Sequence, residues 1–238
     1  MFNFRDAAVE TGTPGLRRGV LFRSGALNEL KAADLAELAA ARIATVVDLR
    51  EPVERAAAPD VVPAGTRVVN LPLYRGEIPV SEPIEAVYRH LLQNCAQAVT
   101  NAVGETIRSL NGGVLVHCAA GKDRTGLVIA LTLAAAGASR RAIVEDYSRT
   151  EAALPASFRQ AVLRRLDARI ADPVEKAAAV RLHLSSPPAV LDHVLTVLAE
   201  ESFGGETGAA AYLRKHGLGQ DLLDHARTSL RGSGAPAA

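Results

Sequence analysis

Two cysteines are all that the 238 residues contain, which excludes a disulfide framework and confines any thiol chemistry to one or two positions. Charge of either sign is scarcely in excess. With 27 Lys and Arg against 26 Asp and Glu, the formal net charge is +1, so no global field draws in nucleic acid or an acidic membrane. Aromatic residues make up 4% of the chain while hydrophobic residues reach 48%. The core must therefore be filled by alanine and other small aliphatic side chains, which favours closely packed helices. No window approaches the ~20 uncharged apolar residues of a membrane span. The start, Met1-Phe2-Asn3-Phe4-Arg5-Asp6, lacks the basic segment and apolar run of a signal peptide. These absences predict a soluble cytoplasmic protein with neither nucleic acid nor integral membrane contacts. The length suits one large domain, or one domain with an added lobe.

What is present centres on Val114-Leu115-Val116-His117-Cys118-Ala119-Ala120-Gly121-Lys122-Asp123-Arg124-Thr125-Gly126. A short apolar strand runs through a loop into Leu127 to Ala136, which reads as a buried helix. Successive loop amides and the unpaired first-turn N–H groups of a helix converge on one point and make a positive concavity. Ala119, Ala120 and Gly121 keep that concavity clear of side chains, and Gly121 can take φ > 0 where the loop curls. Arg124 offers a planar fork for two oxygens of an oxyanion at once. Cys118 stands in the same field, which is expected to lower its pKa from ~8.5 into the ~3.5–7.5 range of activated thiols. The pattern predicts a thiolate facing a bound phosphoryl group.

Other readings of the stretch fit less well. A lone cysteine on a strand is most often a core residue, but the C-x5-R spacing and the strand–loop–helix context point to chemistry. A nucleotide-binding loop requires G-x4-G-K-[ST]; here Val116 replaces the first glycine and Asp123 follows Lys122. Zinc would need four ligands, yet only Cys95 accompanies Cys118, and His117 alternates to the opposite strand face. No metal or other cofactor is expected.

The run from His117 to Gly126 resembles the signature loop of the cysteine-dependent protein tyrosine and dual-specificity phosphatases. Its Lys-Asp-Arg-Thr variant is similar to a bacterial branch whose members also act on phosphoinositides. Asn3-Phe4-Arg5-Asp6, Leu21-Phe22-Arg23-Ser24-Gly25 and Thr45-Val46-Val47-Asp48-Leu49-Arg50 fit the same branch, and the resemblance runs in order from Asn3 to about Leu230. It implies the cysteine-phosphatase fold, an α/β architecture with a central, mostly parallel sheet flanked by helices. It implies one phosphatase domain over residues 1–231, with a helical lid-like region at about 138–185. Some relatives are exported without a cleavable signal.

The roles implied by the resemblance are as follows. Cys118 attacks phosphorus to form a cysteinyl-phosphate, and Arg124 with the amides of Ala119, Ala120 and Gly121 binds the phosphoryl oxygens. Thr125 donates to the sulfur, and Lys122 adds a charge contact for substrate phosphates. The leaving oxygen needs a proton. Asp123, inside the loop, is the preferred acid; Glu77 and Asp48 are the alternatives. Substrates would be phosphotyrosine, with phosphoserine and phosphothreonine as possible extensions, on a phosphorylated protein, or alternatively a phosphoinositide. Two other classes compete. A sulfurtransferase also uses a strand-end cysteine but needs no Arg124–Thr125 pair. A non-enzymatic phosphate-binding module would ordinarily lack one of Cys118, Arg124 and Thr125.

Along the chain, residues 1–25 read as Gly-rich and strand-like, with Arg5, Asp6 and Arg23 in a buried network that braces the central loop. Leu30 to Ala41 has helical spacing, Ile43 to Leu49 is a buried strand, and Glu51-Pro52 opens a short helix. Arg67 to Leu73 is a further strand. Strands alternating with helices imply parallel pairing, whose carboxyl ends carry ligands; Asp48, Arg50 and Cys118 all fall at such ends. Tyr74 to Glu82 is a loop, and Pro83 to Leu110 is helical in two pieces, with Cys95 a small core residue. Beyond Gly137 every segment is expected to be helical. Starts are marked by Ser139, Pro155, Asp172-Pro173, Ser186-Pro187, Glu206 and Gln220, and residues 232–238 form a disordered tail. The segment from Ala156 to Leu184, with Arg159, Arg164, Arg165 and Arg169, is expected to cover the cleft and lend it positive charge. A basic solvated face is the plain alternative.

Overall fold

The computed structural model describes residues 1–10 and 16–231; the predicted tail at 232–238 lies outside them. Five strands form one sheet in the order β1-β2-β5-β3-β4. They are β1 (Arg5–Asp6), β2 (Leu21–Ser24), β3 (Thr45–Asp48), β4 (Arg67–Asn70) and β5 (Val114–His117). Only β1 is antiparallel; β2, β5, β3 and β4 run parallel. The connections carry α2 (Ala32–Ala40), α3 (Pro52–Ala57), α4 (Ile84–Gln93) and α5 (Ala96–Arg108), as βαβ geometry requires. A short α1 (Ala7–Glu10) follows β1, where a strand-like segment is the sequence expectation.

Register sets the position of the cleft. Ser24 of β2 and Asp48 of β3 both pair with His117, the last residue of β5. Three strands therefore end in line, and Cys118 is the first residue beyond the middle of that edge. Helix α6 (Asp123–Ala135) then leads back through the core. Leu127, Val128, Ile129, Ala130, Leu131 and Leu133 are all buried, so the helix is apolar all round, as expected of one enclosed by protein. Truncating Leu127 or Leu131 to alanine would cost about 2–5 kcal/mol.

The remaining helices are α7 (Arg140–Ser148), α8 (Thr150–Ala153), α9 (Ala156–Asp167), α10 (Pro173–Leu184), α11 (Pro188–Glu200), α12 (Gly208–Lys215) and α13 (Gln220–Leu230). The predicted caps form: Ser139 accepts from the Ala142 amide and Asp172 from the Glu175 amide. One expectation fails after Gly137. Ser202–Phe203 (β6) and Glu206–Thr207 (β7) make a small antiparallel hairpin, because Gly204 and Gly205, both at positive φ, supply its turn. The next helix thus starts at Gly208 rather than Glu206.

Helices α9 and α10 pack mainly on each other. Leu154, Val162, Leu166, Ile170, Ala179 and Leu184 form a small apolar cluster separate from the main core. The pair meets the body through Leu182, which is buried in the main core, through the Phe158 ring, 5.3 Å from that of Phe2, and through polar contacts: Arg181 forks onto Glu85 at 2.6 and 2.9 Å, and the Ser81 hydroxyl donates to Glu175 at 2.8 Å. No helix among the described residues is long and apolar enough to cross a membrane.

Candidate active site

From His117 to Lys122 the loop is pinned by its carbonyl oxygens. That of His117 accepts from the Leu49 amide at 2.9 Å, and that of Ala119 from the Ala26 amide at 3.0 Å. The Cys118 carbonyl meets Nδ1 of His117 at 3.3 Å. Nδ2 of Asn3 reaches the carbonyls of Ala120 and Gly121 at 3.1 and 3.0 Å, and Nη2 of Arg23 reaches that of Gly121 at 2.8 Å. In a trans peptide the N–H points opposite to its C=O. Holding these oxygens toward the scaffold therefore turns the amides of Cys118 through Lys122 to the other side, where the cleft lies. Gly121 has φ +67°, and a Cβ there would stand 2.1 Å from the Ser24 carbonyl oxygen, so both backbone conformation and space require glycine. Helix α6 has no side-chain cap at its start, which leaves its first-turn N–H groups for a bound anion.

The predicted brace of this loop exists in part. Arg5 of β1 lies opposite Arg23 of β2, a like-charge pairing that is unfavourable alone. Asp146 of α7 lies between them, accepting from Arg5 Nε at 2.7 Å and forming an ion pair with Arg23 Nη1. Burial, followed by the nearby Arg23 charge, lowers the Arg5 pKa to about 10 despite this carboxylate. Asp6 takes no part; its carboxylate accepts from the amides of Ala8 and Gly19, because it alternates to the other face of its strand.

Inside the cleft, Arg124 is 5% exposed and presents its fork to Glu54 of α3, with Nη1–Oε2 at 2.5 Å and Nη2–Oε1 at 2.8 Å. Its guanidinium lies 5.0 Å from the centre of the Tyr74 ring, a cation–π arrangement. Burial would lower the Arg124 pKa, but the Glu54 hydrogen bond and the negative field of Cys118 outweigh it and raise it. Burial also pushes the Tyr74 phenol up, opposed by Arg124. The Thr125 hydroxyl is buried with no hydrogen-bond partner. Lys122 is not an exposed loop lysine: it is 1% exposed and donates to Asp123 at 2.7 Å.

The cleft encloses about 140 Å³. Cys118, Ala119, Ala120, Lys122, Asp123 and Arg124 line it from the loop, with Glu54 and Tyr74 beside them. Phe158, Val162 and Arg165 of α9 and Leu182 and His183 of α10 also line it. The predicted covering segment thus faces the loop; of its five arginines, Arg165 reaches the cleft, Arg159 donates to the Leu154 and Glu151 carbonyls, and Arg181 pairs with Glu85.

Of the three candidate acids, Asp123 lines the cleft. Glu77 is exposed, and only its neighbours Ile78 and Pro79 reach the lining. Asp48 is fully buried behind the loop and held by Arg50 and Arg55, each at 3.0 Å. Asp48, Asp60 and His117 bring ligand atoms within 4.8 Å of one another. Arg50 and Arg55 already neutralise the two carboxylates, so the donor set is that of an ion-pair cluster rather than a metal centre. Cys95 is buried away from the loop, its thiol 3.2 Å from His90 Nε2.

Sequence reasoning missed Glu54, Tyr74, Asp60 and Asp146. Glu54 occupies the N3 position of α3, where its carboxylate also accepts from the Glu51 amide, so it reads as a helix-start acid. The sequence carries no local signal for the other three.

Residues 1–232 match the model described as the tyrosine phosphatase family. The triple specificity protein phosphatase PtpB of Mycobacterium tuberculosis is 33% identical over 97% of this chain and 97% of its own length. A tyrosine-protein phosphatase of Nostoc commune is 30% identical over 53% of this chain and 46% of its own. The crystal structure of P. aeruginosa TpbA in complex with pTyr is similar at 26% identity, over 56% of this chain and 72% of that one, with a TM-score of 0.33.

Proposed function

The chain belongs to the tyrosine phosphatase family and is a phosphatase, and on that premise we propose that it hydrolyses phosphotyrosine esters through a phosphorylated Cys118. The observation that carries this reading is the pinned loop: a thiol at the floor of a cradle of inward amides, with Arg124 at its rim. The Cys118 thiolate attacks phosphorus, and the bond to the phenolic oxygen breaks as Asp123 gives that oxygen a proton. Arg124 and the loop amides hold the three non-bridging oxygens, whose charge they neutralise as the bonds change. Water then attacks phosphorus and passes a proton to Asp123, and the sulfur–phosphorus bond breaks to release phosphate and the thiolate. Thr125, whose buried hydroxyl has no other partner, donates to the departing sulfur.

Asp123 is supported as the acid because it alone of the three candidates lines the cleft. Lys122 orients its carboxylate and places a second positive charge near the substrate phosphate. Helices α9 and α10 act as a lid, for which their own apolar cluster and the side chains they place in the cleft lining are the support.

The test compares wild type, Cys118→Ser and Asp123→Asn on phosphotyrosine, phosphoserine and phosphoinositide substrates. Wild type is expected to favour phosphotyrosine, and Cys118→Ser to be inactive. Asp123→Asn should lose turnover of an alkyl phosphate, which needs the proton, far more than of p-nitrophenyl phosphate, whose leaving group does not. Preference for the phosphoinositide would reassign the substrate. Full activity of Asp123→Asn on the alkyl phosphate would transfer the acid's role to another group.

A further inference from the structure

The proposed mechanism leaves one buried titratable group beside the nucleophile unused. His117 is fully buried at the end of β5. Its Nδ1 lies 3.3 Å from the Cys118 carbonyl oxygen, and its Nε2 lies 3.2 Å from Oδ2 of Asp60 and 3.7 Å from Oδ1 of Asp48. A carbonyl and a carboxylate can only accept hydrogen bonds. A neutral imidazole carries one N–H, so it would leave a lone pair against a lone pair at one end, sealed from water. Only the imidazolium donates at both ends.

The surrounding charges balance on the same assumption. Facing the ring are Asp48, Asp60 and Cys118. Behind the carboxylates stand Arg50, 2.7 Å from Asp60 and 3.0 Å from Asp48, and Arg55, 3.0 Å from Asp48. Two carboxylates cancel two guanidiniums, and Glu54 cancels Arg124 at the cleft rim. The imidazolium is then matched by one remaining charge, the thiolate of the adjacent residue. Burial would push the Asp60 carboxyl up, but His117 and Arg50 together hold it below the usual carboxylate range.

From this geometry we infer that Asp60 is a positioning residue for the reaction: its carboxylate keeps His117 doubly protonated beside Cys118, and thereby keeps the nucleophile ionised. Asp60 lies 57 residues before His117, in the turn after α3, so the segment that holds Arg124 through Glu54 also holds the charge behind the sulfur. The inference rests on Cys118 being the proposed nucleophile.

Alkylation tests it without requiring turnover. In a Cys95→Ala background, the rate at which iodoacetamide alkylates Cys118, read by intact mass across pH, reports the thiolate. Asp60→Asn should move the midpoint up by about one pH unit, the scale of one lost neighbouring charge, which is about tenfold in rate below the midpoint. Asp60→Glu, which keeps the charge, should recover most of that shift. In a His117→Gln background, Asp60→Asn should add no further shift. A midpoint unchanged in Asp60→Asn, with the variant folded by thermal melting, overturns the inference. So does a shift that persists undiminished without His117, which would make Asp60 act on the sulfur directly, or a wild-type midpoint that moves with a chelator, which would assign the cluster to a cation. Normal alkylation in a wild type that hydrolyses no phosphomonoester would instead sink the phosphatase reading and leave this one standing.

Discussion

Replacing Glu54 by glutamine tests how the cleft holds Arg124. The side chain keeps its size, but one oxygen becomes an NH2 group facing a guanidinium donor, so one bond is lost and the charge is removed. Charge-assisted hydrogen bonds contribute about 1.5–3 kcal/mol each. The Glu54 side chain is 18% exposed, which places the loss in the lower part of that range, at about 2 kcal/mol. For a chain of this size that corresponds to a melting temperature lower by about 4–8 °C. Arg124 keeps the Leu49 carbonyl at 3.4 Å and the Tyr74 ring, so it stays in the cleft but pivots. Displacing a positioning group by about 1 Å costs about 100-fold in rate. The expected result is therefore a kcat/KM for p-nitrophenyl phosphate about 100-fold below wild type, with thiol alkylation intact. A value within about threefold of wild type would refute the reasoning.

The same variant makes a pH prediction. Burial pushes the Glu54 carboxyl up, but the hydrogen bond and charge of Arg124 outweigh it, and the net direction is down. A carboxyl depressed in the fold contributes stability that is complete above its unfolded value of ~4.3 and is lost as pH falls through the folded one. The melting difference between wild type and Glu54→Gln should accordingly shrink as pH falls below about 4.3.

Gly121→Ala places a methyl group against the Ser24 carbonyl at a positive φ; it should destabilise by about 2–4 kcal/mol and abolish turnover, and an active variant of wild-type stability would contradict the loop geometry. Replacing residues 156–184 by a short Gly-Ser linker should leave p-nitrophenyl phosphate hydrolysis in place while widening the range of accepted substrates. Unchanged kinetics and an unchanged range would dismiss the lid.

The parts legible in the sequence are those whose signals are local. The strand–loop–helix run, the glycine at φ > 0, the caps at Ser139 and Asp172, and the strand-end positions of Asp48 and Cys118 each follow from neighbouring residues. The rest is brought together by topology. Glu54, Asp60 and Asp146 meet partners 70, 57 and 123 residues away, and no periodicity announces such a meeting. Glu77 and Asp48 stand as alternatives in the sequence because it gives an acid's position but not its neighbours; the fold buries Asp48 with two arginines and leaves Glu77 outside the cleft lining. The β6–β7 hairpin went unseen because two-residue strands carry no alternation to detect.

Beyond its first turn, helix α6 is sheathed in aliphatic side chains from Leu127 to Leu131 and gives mobile ions no flank along which to gather. The field at its mouth therefore reaches a bound oxyanion largely unscreened, in contrast to a surface dipole, whose effect salt erodes. Affinity for small tetrahedral anions should consequently vary little with ionic strength, a property written into the cleft by residues that never touch it.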